Sequence, residues 1–316
     1  MTAASVVESV PLAHALAGEV ARRSGVRALV VKGPAADAHG LRAPRVSSDA
    51  DVLVPPDGAG SYLRALDACG WRERPTSDAV GPTSAHSVTL IHPEWPCDID
   101  AHVRFPGFLV DPQVVFDELW RRRQPLDVAG RKLDMVDRSG AILIAALHAL
   151  RTPAQTPRHG DEIRRLVEVV LPQLTRAERD DLVALAAATG AIDTARPVLA
   201  HLGVELPPAT PHGADRALDA WRARVGGRGE SVAQWLIVLE GVGWRRLPGA
   251  IVRMLWPTEA EFRRVHPEAD PGCGAAIRGR WARIGRGLLA APRALWGRVL
   301  ALRGVTDDSL LGKPRS

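Results

Sequence analysis

Two aspartates one residue apart are placed to hold a cation on one face of a β-strand. Asp49 and Asp51 alternate with the apolar residues Ala50, Val52 and Val54. Because successive side chains of an extended strand point to opposite faces, both carboxylates lie on one side and the apolar side chains on the other. Two like charges in this arrangement become favourable when a hard cation such as Mg²⁺ lies between them. The pair therefore predicts a site for Mg²⁺, with Mn²⁺ as the alternative ion.

A second segment repeats this alternation. Asp98, Asp100 and His102 share one face of a predicted strand, while Ile99 and Ala101 share the other. If the two strands are neighbours, three or four carboxylates meet on one surface. Such a group can hold one or two Mg²⁺ ions, whose coordination is usually completed by substrate phosphates. Two ions can activate an attacking oxygen and stabilise the leaving one.

A turn upstream of the carboxylates offers groups for a phosphate. Lys32 and Gly33 follow an apolar run and precede a predicted short helix that opens with Pro34. The glycine allows backbone amides to approach a phosphate, and a helix N-terminus favours its negative charge. Arg45, four residues before Asp49, could neutralise further phosphate charge. Together with the carboxylates, these residues predict a nucleoside triphosphate as ligand.

Hydrophobic periodicity predicts the elements that position these residues. Strands are expected at 28–31, 49–54, 88–92 and 97–103, and helices at 5–23, 35–39 and 61–69. After about residue 137 the pattern becomes helical, with helices expected at 138–150, 161–171, 176–188, 213–225 and 231–240. The fold class is therefore α+β. We predict a small mixed-sheet domain over 1–135, a helical domain over 136–270 that supplies the acceptor pocket, and a basic amphipathic tail over 271–316.

Composition indicates an ordinary globular protein. The chain has 316 residues, of which 46% are hydrophobic and 24% are charged. Cys69, Cys97 and Cys273 are far apart and odd in number, so they match neither a disulfide framework nor a zinc site. This cysteine usage predicts a cytoplasmic location. A signal peptide and a membrane span are not expected, because the sequence lacks an apolar run of about 18 residues.

The positive charge is concentrated in the tail. The net charge is +5, yet residues 275–316 hold nine Lys or Arg against two acidic residues, so the rest of the chain is slightly negative. A long nucleic acid is therefore not an expected partner. The tail interleaves apolar and basic residues, namely Trp281, Ile284 and Leu288 with Arg280, Arg283 and Arg286. It could lie on an anionic membrane surface, but we favour packing of its apolar stripe on the body with the arginines exposed.

These motifs together resemble a known family. The sequence contains Val30-Val31-Lys32-Gly33, then Arg45-Val46-Ser47-Ser48-Asp49-Ala50-Asp51-Val52-Leu53-Val54, then Ile99-Asp100-Ala101-His102. This order is similar to that of the uncharacterised bacterial nucleotidyltransferase family of the DNA polymerase β-like superfamily. The resemblance covers roughly residues 25–105, with weaker support at 143–149, where the family often has a helix ending in a histidine like His148.

The resemblance implies a polymerase β-like nucleotidyltransferase domain and a metal-dependent, pyrophosphate-releasing reaction. By position, Asp49 and Asp51 would be paired metal ligands, and Asp100 would be both the third ligand and the base for an acceptor hydroxyl. The implied nucleotide-binding residues are Lys32, Gly33, Arg45, Ser48 and His102. The partners would be a nucleoside triphosphate and an acceptor that is a small molecule, a peptide or a protein.

The chain also departs from the family pattern. Lys32-Gly33 stands where the superfamily commonly has Gly-Ser, Ser48 replaces a frequent glycine, and Ala50 is smaller than the usual Ile or Leu. None of these changes removes a carboxylate. Two alternatives remain open, namely a nucleotide-binding or regulatory module without turnover and transfer of the γ-phosphoryl group. Lys32 could instead be solvated, and His102 could have a structural role.

Overall fold

The computed structural model describes residues 5–43, 45–74, 86–151, 157–226 and 247–256, together with 258–259 and scattered positions between 274 and 292. The predicted helix at 231–240 and Cys273 lie outside the described residues. The strands are β1 Leu29–Val30, β2 Asp49–Leu53, β3 Arg72–Glu73, β4 Ser87–Ile91, β5 Asp98–His102, β6 Gln124–Val128 and β7 Arg131–Met135.

Helices flank the strands and follow them in the chain. They are α1 Val6–Arg23, α2 Pro34–Ala38, α3 Ala59–Ala68, α4 Pro112–Arg121, α5 Arg138–Leu150, α6 Pro157–Arg165, α7 Arg176–Ala188, α8 Arg196–Leu199, α9 Arg216–Gly226 and α10 Leu247–Leu255. After α6 the chain continues through a π-helical turn, Leu166–Val170, and a 3₁₀ turn, Leu171–Gln173. No helix in the described part of the chain is long and apolar enough to cross a membrane.

Side-chain caps fix where several helices begin. Ser5 and Glu8 form a reciprocal capping box at the start of α1, and Thr175 and Glu178 do the same for α7. Asp137 caps α5 by accepting a hydrogen bond from the Gly140 amide at 2.8 Å. Each cap satisfies backbone amides that lack a partner in the first helical turn. The sharp change from sheet to helix after β7 therefore has a local cause in Asp137.

The seven strands form one mixed sheet in the order β3-β4-β5-β2-β1-β7-β6. At its centre β2 pairs with β5 in parallel, and β1 joins β2 in antiparallel and β7 in parallel orientation. The outer pairs, β3 with β4, β4 with β5 and β6 with β7, are antiparallel. The mixed sheet confirms the predicted α+β class. Strands β3, β6 and β7, and helices α4, α8 and α10, were not predicted.

Two apolar cores cover the sheet. The smaller one joins α1 and α3 to β2 and β5, and it contains Ala50, Val52, Ile99 and Ala101. The larger one extends from β1 and β7 through α4, α5 and α7 to α9, and it also receives Leu53. The predicted apolar face of β2 is thus confirmed. Because the larger core is continuous from β1 to α9, apolar packing crosses the predicted boundary at residue 135, and the division into domains stays a prediction.

The described positions of the C-terminal tail differ from the favoured packing arrangement. Trp281, Leu288 and Leu289 are 61%, 70% and 81% exposed, whereas Arg280 is buried. The Arg280 guanidinium lies 5.3 Å from the ring centroid of Trp256, at the end of α10. Trp281 also contacts Trp256, with ring centroids 5.7 Å apart, while Leu288 and Leu289 face outward.

Candidate active site

The parallel pairing of β2 with β5 brings the predicted carboxylates together. Asp49 lies opposite Asp98, Asp51 opposite Asp100, and Leu53 opposite His102. Since the register is in phase, the polar side chains of both strands share one face and the small apolar side chains share the other. Leu53 projects from this same face of β2 and packs into the larger core, which contains the helices. The carboxylates therefore face the helical half of the chain.

Asp51 lies at the centre of the polar face. It is 5% exposed, and its Oδ1 lies 2.5 Å from Lys32 Nζ and 2.9 Å from His102 Nε2. Donor atoms of Asp51, Asp100 and His102 all lie within 4.8 Å of one another. On the far side of this group, Thr89 Oγ1 of β4 donates to Asp100 Oδ1 at 2.6 Å. Asp49 lies on the same face of β2 as Asp51 but is not part of this close group. We call Asp49, Asp51, Asp100 and His102 the carboxylate cluster.

The charges of the cluster are distributed unevenly. Burial by itself would raise the pKa of the Asp51 carboxyl, but the hydrogen bond from His102 and the charge of Lys32 outweigh it and hold that pKa below its usual value. The pKa of Asp49 is raised, first by burial and then by the negative charge of Asp51, despite the opposing effect of Lys32. Asp51 is thus fully ionised at neutral pH, while Asp49 lies in an excess of negative charge.

This donor set is compatible with a hard divalent cation. The oxygens of Asp49, Asp51 and Asp100 are the ligand type that Mg²⁺ prefers. A bound cation would lower the raised pKa of Asp49. One feature opposes easy binding. Asp51 Oδ1 already contacts both Lys32 and His102, so the second oxygen of Asp51 is the better placed ligand atom.

The predicted phosphate-binding residues lie around the cluster in unexpected roles. Lys32 forms an ion pair with Asp51 and is neither solvated nor directed away from the carboxylates. Arg45 Nη1 lies 2.9 Å from Glu162 Oε1 of α6, so a phosphate would have to compete with this ion pair. Ser48 Oγ lies 3.5 Å from Asp49 Oδ1. These residues surround the site, but a contact with a nucleotide remains a prediction for each.

Gly33 fits the predicted tight turn. Its φ of +51° lies in the left-handed region that favours glycine. A Cβ atom at this position would lie 3.3 Å from Ser47 Oγ and 3.6 Å from His14 Cε1, so the loop packs closely against its neighbours. The following helix α2 has five residues, which is too short to provide a strong dipole. The glycine is therefore explained by its positive φ and by close packing against Ser47 and His14, and its contact with a phosphate stays a prediction.

No protein-family model and no curated protein sequence matches the chain. Two solved structures are similar to part of it. The solution structure of the antibiotic-resistance factor ANT(2'')-Ia is 15% identical with a TM-score of 0.37, and the match covers 61% of this chain and 95% of that one. An antigenic nucleotidyltransferase-like protein from Paracoccidioides brasiliensis is 11% identical with a TM-score of 0.35, covering 60% and 93%. Both TM-scores are below 0.5, so the function is inferred from the geometry of the site.

Several site residues were not predicted from sequence. Thr89 was within a predicted strand, but its contact with Asp100 depends on the antiparallel register of β4 and β5. Arg151, just after α5, donates to His86 Nε2 at 3.0 Å. Burial lowers the pKa of Arg151, although Asp51 and Asp100 act in the opposite direction. The sequence contains no local signal for these contacts, because each joins segments distant in the chain.

A cavity of about 410 Å³ lies near His102, and no carboxylate of the cluster is among the residues that line it. Its inner wall includes Leu53 and His86, and the His86 ring centroid lies 5.9 Å from that of His102. The rest of the wall is mainly apolar and comes from the 104–112 loop and α9, including Phe108 and Trp221. The helical half thus contributes to a pocket whose wall contacts the cluster through His86 and His102.

Proposed function

We propose that this protein is a nucleotidyltransferase that moves a nucleoside monophosphate from a nucleoside triphosphate to a hydroxyl of a small molecule, a peptide or a protein. The observation that carries the proposal is the in-phase parallel pairing of β2 with β5, which places Asp51 opposite Asp100 and on the same face as Asp49. This pairing concentrates three carboxylates on one face, which is the arrangement that phosphoryl-group chemistry requires to hold divalent cations.

The chain's own residues would have separate roles in the reaction. Lys32 and His102 keep Asp51 ionised and fix its orientation. Asp100, oriented by the Thr89 hydroxyl, would accept the proton of the acceptor hydroxyl. The resulting oxygen would attack the α-phosphorus, the bond from that phosphorus to the bridging oxygen would break, and pyrophosphate would leave. Gly33 and Arg45 would lie against the leaving phosphates.

Asp49, Asp51 and Asp100 would hold Mg²⁺ or Mn²⁺. A bound dication supplies positive charge that stabilises the attacking and the leaving oxygen. The raised pKa of Asp49 supports this assignment, because uncompensated negative charge favours a cation at this position.

The cavity beside the cluster would receive the acceptor. Its volume of about 410 Å³ lies within the range of small-molecule sites and could equally take one peptide side chain. Phe108 and Trp221, which line the cavity, would pack against an apolar part of the acceptor. Its hydroxyl would have to extend beyond the cavity wall, past His86 and His102, to reach Asp100. The size of this pocket supports a compact acceptor over a nucleic-acid strand.

A second candidate is a nucleotide-binding module without turnover. It is favoured by the contacts of Lys32 and His102 with the same oxygen of Asp51, because both donors compete with a metal ion at that atom. Transfer of the γ-phosphoryl group is a further alternative, since the same carboxylates could serve either reaction.

Incubation with Mg²⁺ and each α-labelled nucleoside triphosphate, together with a panel of hydroxyl-bearing acceptors, tests the three functions. Transfer of the label with release of pyrophosphate supports the proposal. Release of a labelled nucleoside diphosphate supports γ-phosphoryl transfer. Tight nucleotide binding without turnover across the panel supports the binding module.

The double variant Asp49→Asn with Asp51→Asn tests the site assignment. The amide preserves shape but removes the charges that bind the cation, so label transfer and its Mg²⁺ dependence should be lost. Circular dichroism controls for folding. Full activity of the folded double variant would show that the carboxylate assignment is wrong.

A further inference from the structure

A second group of metal-binding side chains lies on the helices that face the carboxylate cluster. His148 is near the end of α5, and His159 and Glu162 are on α6. The donor atoms of these three residues all lie within 4.8 Å of one another. We call this group the imidazole cluster. It shares no residue with the carboxylate cluster, and the proposed reaction does not use it.

The geometry of the two imidazoles suits a shared metal ion. Their ring centroids lie 5.4 Å apart, with the ring planes at 82°. Two imidazoles bound through nitrogen to one tetrahedral zinc ion, with Zn–N bonds of about 2.1 Å, place their ring centroids about 5 Å apart. The observed spacing therefore needs little adjustment. His159 and Glu162 are three residues apart on one helix, which places both side chains on the same face.

The protonation state of the two histidines also suits a metal. Burial lowers the pKa of His148 to about 2, and the positive charges of Lys32 and Arg151 lower it further. The same two charges oppose a dication at this position. The pKa of His159 is lowered as well, mainly by burial, although Glu162 opposes the shift. Neutral imidazole is the form that binds metals. Nδ1 of His148 is buried and lacks a hydrogen-bond partner among the described residues.

Two arginines compete with a metal for Glu162. Arg45 Nη1 lies 2.9 Å and Arg158 Nε 3.1 Å from Glu162 Oε1. Both contacts are made with the same carboxylate oxygen, so Oε2 can serve as the ligand atom. Arg158 is 58% exposed, and solvent screens its charge. The arginines should therefore weaken metal binding without preventing it.

We propose that His148, His159 and Glu162 bind one transition-metal dication of the zinc type. Imidazole nitrogens favour zinc and its neighbours in the first transition series over Mg²⁺. With three protein ligands, a tetrahedral ion keeps a position for water or another ligand. Bound in this way, the ion would link α6 to α5 beside the carboxylate cluster.

The test uses the full chain, freed of metal by a chelator and then dialysed against Zn²⁺ or Co²⁺. Metal analysis should give one Zn²⁺ per chain at this site, and Co²⁺ should produce the intense visible bands of a tetrahedral complex. His159→Gln and Glu162→Gln should each weaken binding by roughly 100-fold or more, since each removes a ligand. The exposed His201 provides the matched control, and His201→Gln should bind as the unmodified chain does.

Two further variants separate this site from its surroundings. Asp51→Asn with Asp100→Asn should retain the Co²⁺ spectrum, because it changes the other cluster. Arg158→Gln should strengthen Co²⁺ binding a few-fold by removing a competitor for Glu162. The proposal is overturned if the Asp51/Asp100 variant loses the Co²⁺ spectrum, or if folded His159→Gln and Glu162→Gln both bind as tightly as His201→Gln. These outcomes do not depend on whether nucleotidyl transfer occurs.

Discussion

The carboxylate cluster and the imidazole cluster face each other but are built in different ways. In the first, adjacent parallel strands place Asp51 opposite Asp100 through backbone pairing. In the second, His148 of α5 meets His159 of α6 through the packing of two helices that are consecutive in the chain. Strand pairing repeats a sequence pattern on one surface, whereas helix packing joins residues that share no pattern. The first kind of site is visible in a sequence and the second is not.

The donor chemistry differs as well. The carboxylate cluster is rich in oxygen and carries excess negative charge at Asp49. The imidazole cluster has two neutral nitrogen donors and one carboxylate that is shared with Arg45 and Arg158. A hard ion suits the first and a borderline ion the second. Two neighbouring groups of side chains can thus offer chemically distinct sets of ligands for a cation.

The largest expected effect distinguishes Asp51 from Asp98. Asp51→Asn should reduce nucleotide turnover by about 1,000-fold or more, because the charge that Lys32 and His102 orient is lost. Asp98→Asn is the matched control. Asp98 lies on the same face of β5 as Asp100, but it forms an ion pair with Arg74 at 2.5 Å. Its turnover should change by less than about 3-fold. Steady-state rates measure both, and equal losses would contradict the functional distinction.

A smaller loss is expected at His102, which acts through Asp51. His102→Gln should lower turnover roughly 10- to 100-fold, as is usual when a group that orients a ligand is removed. Loss of the hydrogen bond raises the pKa of Asp51, so the acid limb of the pH–rate profile should move to higher pH. His92→Gln serves as the control, because His92 packs on Trp71. An unshifted acid limb would show that His102 has a purely structural role.

Metal titrations sharpen the chemical contrast between the clusters. Asp100→Asn should weaken Mg²⁺ binding by about tenfold or more and leave Co²⁺ binding at the imidazole cluster unchanged. Conversely, His159→Gln should weaken Co²⁺ binding and leave Mg²⁺ binding unchanged. Isothermal titration calorimetry measures both ions. If either variant weakened the binding of both ions equally, the two clusters would form a single site.

The smallest expected effect concerns stability and pH. His148 is neutral in the fold, with a pKa of about 2, while its pKa in the unfolded chain is the ordinary value. As the pH falls below about 6.5, His148 therefore binds a proton in the unfolded chain but not in the folded one. Its contribution to the free energy of unfolding is complete above that pH and is lost progressively below it. When the pH is lowered from about 7.5 to 5.5, this histidine should reduce the free energy of unfolding by about 1 kcal/mol.

Urea unfolding at the two pH values, with a chelator present, measures this effect. His148→Gln should reduce the fall in unfolding free energy by that amount, whatever its stability at pH 7.5. His201→Gln, which changes an exposed histidine, should retain the full pH dependence. An unchanged fall in the His148 variant would mean that this histidine remains protonatable in the fold.

The sequence alone determined much of the sheet and the carboxylate cluster. Period-two alternation in β2 and β5 located Asp49, Asp51 and Asp100, and helical periodicity located α1, α5 and α7. These signals are local, since burial of one face imposes a repeat on each strand or helix. Strands β6 and β7 lack such an apolar repeat, because most of their residues are exposed or only partly buried.

The tertiary structure alone decided which side chains from distant segments meet at the candidate site. It directed Lys32 to Asp51, held Arg45 on Glu162 and placed Thr89 on Asp100. Each contact joins segments that are adjacent in space but separated in sequence, and the register of strands or the packing of helices sets it. A sequence specifies the face that an element buries, but the partner on that face is fixed when the elements pack. For this reason the Asp49-x-Asp51 pair was predictable, and the imidazole cluster opposite it was not.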